Sequence, residues 1–218
     1  NEMGVDAFVF GNHEFDLGST DEGLTKLKEF VESTELPFVS ANVDFSKDPL
    51  FANVFENTFS TSPEEGKIYD GIVKEVDGEK VGIFGLTTAE TKDVSSPGSI
   101  AFENYIEEAE TAVKAFNDMG INKIIALTHL GYDDAPAVDN DQVLAKAVEG
   151  IDIIVGGHSH SQLDVPTEIK TKADGTEKDP TLIVQAYQHG DFLGTLDVQF
   201  DENGVVTEHR GSLLKVAD

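Results

Sequence analysis

Ala7-Phe8-Val9-Phe10-Gly11-Asn12-His13-Glu14-Phe15-Asp16 is an apolar run that breaks at a glycine into a polar, histidine-bearing loop, and the pattern occurs twice more. Ile124 to Leu127 runs into Thr128-His129-Leu130-Gly131, and Ile151 to Val155 runs into Gly156-Gly157-His158-Ser159-His160. Short apolar runs bounded by glycine read as buried strands of a parallel sheet, and open α/β sheets bind ligands beyond the carboxyl ends of their strands. Four of the six histidines therefore lie where such a sheet does its chemistry. Any one of them alone reads as an ordinary loop or core histidine. The set, with a His-x-His pair and glycines that admit close backbone approach, points to a metal-dependent site. Imidazole suits zinc, iron, manganese or nickel, and the neighbouring Asn and Asp oxygens fit a hard to borderline divalent ion.

Outward from these loops the chain keeps a β-α rhythm first and becomes strand-rich later. Ser19-Thr20-Asp21-Glu22 is suited to cap a helix with Leu24, Leu27, Phe30 and Val31 on one face, ending before Leu36-Pro37. Phe38 to Asn42 reads as a strand, and Val73 to Val76, Asp77-Gly78 and Val81 to Leu86 read as a hairpin. Ile106, Ala109, Val113 and Phe116 stripe a second helix stopped by Gly120. Val143, Leu144, Ala147 and Val148 stripe a third, stopped by Gly150. Each of these two helices feeds a histidine-loop strand. Turns at Asp174-Gly175 and Asn203-Gly204, around Thr181 to Ala186 and Leu196 to Phe200, predict antiparallel hairpins. Asp44 to Gly66, rich in Ser, Asn and Glu, reads as an irregular insertion, and no repeat or low-complexity tract is present.

A chain of 218 residues suffices for one substantial core. Acidic residues number 42 against 15 basic ones, a formal charge of −27, and Arg210 is the sole arginine. Such a surface repels nucleic acid polymers and anionic membranes, so a phosphate ester would be recruited by metal ions. Otherwise the acidic bias reads as the solvated face of a secreted bacterial or salt-tolerant protein. The absence of cysteine excludes disulfides, zinc-thiolate sites and thiol catalysis. No run of about 18 apolar residues is present to span a membrane.

In order and spacing, Gly11-Asn12-His13-Glu14, Thr128-His129-Leu130-Gly131 and Gly156-Gly157-His158-Ser159-His160 resemble the calcineurin-like metallophosphoesterases. Phe15-Asp16, Val184-Gln185-Ala186-Tyr187 and Leu193-Gly194 narrow the resemblance to the 5′-nucleotidase family, which includes bacterial UDP-sugar hydrolases and surface ecto-nucleotidases. It extends from Val5 to about Phe200. The fold it implies is α/β, a two-sheet β-sandwich flanked by helices in four αββα layers. It further implies that Asn12, His129 and His158 hold one of two divalent ions (Zn, Mn, Fe, Co or Ca) and that His160 holds the other. His13 takes the part of the catalytic imidazole and Asp16 that of its partner. A two-ion site holds a hydroxide and polarises phosphoryl oxygens for in-line attack. The spacing of His13 and Asp16 is compatible with that pairing, since one helical turn brings i and i+3 together, and equally with a plain acid at a helix N-terminus. Gln185 reads as a residue behind the ligands; His189 reads first as a surface-loop histidine and only second as joining it there.

One departure stands out. The family supplies an Asp-x-His motif and then a Gly-Asp motif ahead of Gly-Asn-His-Glu, giving three further ligands including the carboxylate that bridges the ions. This chain has no Asp-x-His, and its Gly190-Asp191 lies far downstream. Residues 1–218 are accordingly expected to be one catalytic domain incomplete at its N-terminus, lacking about two strand-plus-helix units on the order of 60 residues. Its first strands are therefore expected to be missing, with at most one ion well held and the isolated chain inactive. The family's C-terminal nucleotide-binding domain, a partner segment of the same parent chain, is likewise expected to be absent, so the substrate-binding residues are not identified. The parent is expected to hydrolyse nucleoside 5′-monophosphates outside the cell or at its surface. Cyclic-nucleotide phosphodiesterase, nucleotide-sugar pyrophosphatase and a non-enzymatic metal-binding module are the alternatives.

Overall fold

The computed structural model describes residues 4–20, 22–133 and 135–216. Thirteen strands are described. In chain order they are β1 (Phe8–Val9), β2 (Phe38–Val39), β3 (Val43–Asp44), β4 (Phe55–Ser60), β5 (Ile68–Val76), β6 (Glu79–Thr87), β7 (Ala101–Phe102), β8 (Ile124–His129), β9 (Ile153–Val155), β10 (Thr167–Thr171), β11 (Glu177–Val184), β12 (Phe192–Phe200) and β13 (Val206–Lys215). Nine of them form one mixed sheet in the order β1-β2-β5-β6-β8-β9-β11-β10, with β4 paired to β5. The run β6-β8-β9-β11 is parallel, so the loops after β6, β8, β9 and β11 emerge at one end. The fold is thus mixed α/β. Its second sheets are small, an antiparallel β12-β13 hairpin and the β3-β7 pair.

The helices are α1 (Gly23–Ser33), α2 (Thr91–Val94), α3 (Tyr105–Asp118) and α4 (Asp141–Ala147). α3 and α4 lie on one face of the sheet, where Ala109, Ala112, Val113, Phe116, Leu144 and Ala145 pack with Phe84, Leu86, Ile124, Ala126 and Ile154. Both begin on asparagine caps. Asn104 accepts from the amides of Ile106 and Glu107, and Asn140 from that of Val143, which satisfies donors that the first turn leaves open. Residues of β8 alternate between buried and half-buried, Ile125 and Leu127 lying on the less covered face with Ala7 and Val9.

A second core is aromatic. Phe10, Phe15, Phe38, Phe45, Phe51 and Phe102 are all buried together, with Phe10 stacked on Phe38 at 4.8 Å between ring centroids. It overturns the reading of Asp44 to Gly66 as an irregular insertion. That stretch contributes β4 and two 3-10 turns; Phe45, Phe51 and Phe55 join this cluster, and Phe59 packs on Phe116 in the other core. The Ser/Thr cap expected for α1 is not formed by the described residues. Thr20 turns its hydroxyl back to the Leu17 carbonyl at 2.7 Å, and the helix starts on Glu22 without a side-chain cap; Asp21 lies outside the described residues. Phe30 is half in solvent, reaching sideways to Phe8 and Phe38. On α4 the buried side is Leu144 and Ala145, while Val143 faces outward. The Asp77-Gly78 and Asn203-Gly204 turns form as predicted, the first with both residues at positive φ, 52° and 88°, as a two-residue hairpin loop requires.

Candidate active site

The first histidine loop is a 3-10 turn, Asn12–Phe15. Glu14 closes it by accepting from the Gly11 amide at 2.6 Å. Phe15 is wholly buried in the aromatic core, edge-on to Phe102. That anchor leaves the residues on either side to face outward. His13 Nδ1 and Asp16 Oδ2 lie 2.8 Å apart, and Asp16 Oδ1 accepts from Ser95 Oγ at 2.8 Å. The hydrogen bonds from His13 and then Ser95 hold the Asp16 carboxyl below the usual carboxylate range, since each favours the ionised form.

Asn12, on the other side of the turn, is buried at 5% exposure. Its Oδ1 lies 3.0 Å from His129 Nε2 and 3.2 Å from His158 Nδ1. Three residues from three separate loops thus converge on one point. Burial pushes His129 down to about 4, and the neighbouring histidines add to the shift. It is therefore neutral at pH 7 and keeps a lone pair to offer. The ring is clamped by glycines: a Cβ on Gly11 would meet it at 2.9 Å and one on Gly157 at 3.0 Å. Only a residue without a side chain fits on either side of the imidazole. A neutral Asn-His-His set held in such a cradle has the donor chemistry of a divalent ion site. Among the described residues no group of three or more His, Cys, Asp and Glu is placed to hold a metal; the convergent set owes its third member to asparagine.

His158 and His160 both sit in left-handed backbone, at φ 72° and 52°, and Tyr187 and His189 do so across from them. Non-glycine residues there are uncommon and gather at functional sites. His160 is exposed and neighbours His189, the ring centroids 5.9 Å apart, rather than Asn12. The loop is braced from behind by Gln185, buried at 3%, which donates to the Gly157 carbonyl and accepts from the Ser159 hydroxyl and the Ser161 amide. Ser159 Oγ in turn accepts from the Tyr132 amide, tying this loop to the one after β8.

Two contributors, Asp141 and Glu90, had no signal in the histidine pattern. Thr128 Oγ1 donates to Asp141 at 2.6 Å beneath the His129 loop. The loop after β6 brings Glu90 to His158, Oε2 to Nε2 being 3.3 Å. An apolar run does precede it, Val81 to Leu86, but neither histidine nor glycine marks the end.

Such a site, built on the carboxyl ends of a largely parallel sheet, defines a metal-dependent hydrolase class. The signature of the calcineurin-like phosphoesterases matches residues 2–162, and the chain belongs to that family. It is 41% identical, over 98% of its length, to the trifunctional nucleotide phosphoesterase protein YfkN of Bacillus subtilis, of which it covers 15%. It is 36% identical, also over 98% of its length, to the bovine 5′-nucleotidase, of which it covers 36%. Among solved structures, the 5′-nucleotidase precursor of Thermus thermophilus superimposes with a TM-score of 0.77 at 34% identity, over 96% of this chain and 38% of that one. The NAD nucleotidase NadN of Haemophilus influenzae gives 0.75 at 31% identity, over 97% and 40%. The chain therefore spans about a third or less of the curated relatives it matches. The family chemistry is phosphoester hydrolysis assisted by divalent metal ions.

Proposed function

We propose that this chain is the metal-binding domain of a nucleotidase that releases phosphate from nucleoside 5′-monophosphates. The observation that carries the reading is the convergence of Asn12, His129 and His158 beside the His13–Asp16 pair. When bound, divalent ions supply a Lewis acid and a nucleophilic water for in-line attack on phosphorus. The chain's own residues do the rest. Asn12 Oδ1, His129 Nε2 and His158 Nδ1 are the atoms that face the first ion position, and His160 belongs to the second.

His13 stays out of that coordination. Its Nδ1 is taken by Asp16, so its Nε2 is the nitrogen left to meet a phosphoryl oxygen or the leaving oxygen. Asp16, held ionised by its hydrogen bonds from His13 and Ser95, fixes the ring tautomer and orientation. With one histidine at the second position and no bridging carboxylate among the described residues, the chain by itself holds one ion and does not turn over. In the parent protein a further nucleotide-binding domain supplies the base contacts. Relatives that include a snake venom 5′-nucleotidase support action outside the cell, and no helix among the described residues is long and apolar enough to cross a membrane.

The test is steady-state hydrolysis of AMP by the parent protein, with metal content measured in parallel. Phosphate release that is abolished by chelation and restored by a divalent ion is the expected result. Activity indifferent to chelation overturns the reading. Hydrolysis confined to cyclic nucleotides or to nucleotide pyrophosphates redirects it to the phosphodiesterase or pyrophosphatase alternative.

A further inference from the structure

The loop Thr87-Thr88-Ala89-Glu90 is pinned to its neighbours from three sides. Thr87 Oγ1 donates to the Phe10 carbonyl at 2.8 Å, the Thr88 amide to the His129 carbonyl at 3.0 Å, and the Ala89 amide to the buried carboxylate of Asp139 at 2.8 Å. Within the loop the Glu90 amide donates to Thr88 Oγ1 at 3.1 Å. The loops bearing Asn12 and His129 therefore also fix where the Glu90 side chain starts. It ends at His158, whose two ring nitrogens meet different partners. Nδ1 faces Asn12 Oδ1 at 3.2 Å, on the side of His129, and Nε2 faces Glu90 Oε2 at 3.3 Å. Both side chains are largely withdrawn from solvent, 17% and 28% exposed.

A neutral imidazole carries one N–H and one lone pair, and an ionised carboxylate only accepts. With Glu90 against Nε2, the proton belongs on Nε2 and the lone pair on Nδ1. We propose that Glu90 is a positioning residue: it holds the His158 proton on Nε2 and so presents the Nδ1 lone pair to the ion position shared with Asn12 and His129. The proposal rests on the metal-site reading above. His158 has particular need of such a partner, because its left-handed backbone, φ 72°, is not one that local preference maintains. Carboxylates behind ligating imidazoles fix the tautomer and raise basicity, and their loss typically weakens metal binding about 10–100-fold. Asp139 contributes one layer further back by holding the turn that aims Glu90.

The experiment uses the histidine-15N-labelled chain at pH 8. Long-range proton–nitrogen correlation without metal reads the tautomer of each ring, and titration with Mn2+ reads affinity. In the unsubstituted chain His158 is expected as the Nε2–H tautomer. Glu90→Ala should lose that preference and weaken Mn2+ binding about 10–100-fold with little change in the melting temperature of the metal-free chain. Glu90→Gln, which can still accept through its amide oxygen, should restore the tautomer and most of the affinity. An unchanged tautomer in Glu90→Ala overturns the proposal. So does a Glu90→Gln variant as weak in Mn2+ binding as Glu90→Ala with its tautomer intact, which would make Glu90 a ligand. Should His158→Ala bind Mn2+ as well as the unsubstituted chain, the metal-site reading fails instead, while the tautomer read without metal still judges the Glu90–His158 contact.

Discussion

Two polar regions of this molecule bury ionisable side chains, and they do so to different effect. At the carboxyl ends of β8 and β9, His129 and His158 face a buried amide oxygen, and glycines shape the space around the His129 ring. Beside α3, Asp70 is 9% exposed and lines a cavity of about 280 Å³ with Glu103 and Glu108. Burial first, then the charges of Glu108, Glu103 and Asp44, push Asp70 up to about 7. In the first region burial keeps His129 uncharged, and ring nitrogens of both histidines face a common point. In the second it crowds like charges together. Convergence of complementary donor atoms, rather than burial alone, marks the functional end of the sheet.

The largest expected effect breaks the comparison at the histidine end if it fails. In the parent enzyme His13→Ala should lower turnover about 10²–10⁴-fold, the range for a lost general acid–base group, with metal content and KM little changed. His158→Ala should lose metal and activity together. Asp16→Asn should fall between wild type and His13→Ala, and the double variant should be no worse than His13→Ala alone, because the pair acts as a unit. Kinetics on AMP with metal analysis decides. Simple addition of the two single losses would reduce the pair to a surface contact.

The acidic region makes the opposite prediction, a gain on removing charge. The folded pKa of Asp70 lies above the unfolded value of 3.8, so between about 4 and about 7 the native chain binds more protons than the unfolded one. The stability Asp70 contributes is full below about 4 and is lost as pH rises through about 7. Asp70→Asn, permanently neutral, should stabilise the chain by up to about 4 kcal/mol at pH 8 and by almost nothing at pH 4. Urea unfolding at the two pH values measures it. A gain independent of pH would show that Asp70 is not the titrating group.

A smaller effect separates the two ion positions. His158→Ala should weaken Mn2+ binding to this chain at least about 10-fold, whereas His160→Ala, altering an exposed ring apart from Asn12, should change it less than threefold. Calorimetric titration distinguishes them, and equal losses would mean that His160 shares the first position. The smallest effect concerns the surface. With a formal charge of −27, self-repulsion is screened as the Debye length falls from about 10 Å at 0.1 M to about 3 Å at 1 M salt. The melting temperature should rise by a few degrees with sodium chloride. A flat or falling curve would mean that the like-charge cost is local to regions such as the Asp70 cavity.

Much of the candidate site was legible in the sequence because strand, glycine and histidine fall in one short window. Phe8–Val9, Ile124–His129 and Ile153–Val155 are strands where apolar runs predicted them, and the i to i+3 spacing of His13 and Asp16 translates into a 2.8 Å contact. Asp44 to Gly66 misled for a physical reason. Its phenylalanines do not share one element: two 3-10 turns place Phe45 and Phe51, and β4 places Phe55, in the aromatic cluster, while Phe59 packs on Phe116 in the other core. Glu90 escaped because a carboxylate after a strand is indistinguishable from any solvated acid until its partner, 68 residues away, is placed beside it.

By itself the sequence determined the local matters: which segments extend, which loops carry lone pairs, that no thiol chemistry is available and that the surface is strongly acidic. These follow from side-chain type and short-range periodicity, which a chain carries whatever its fold. Tertiary structure supplied the contacts of Asn12, from one end of the chain, with His129 and His158, which the sequence only implied through its family resemblance. It also decided that Glu90 backs His158 while His160 lies apart beside His189, and that Asp70 sits among like charges. Those are relations between residues far apart in sequence, fixed by strand order and by which hydrogen bonds the packed loops can make, and neither is written in any local window.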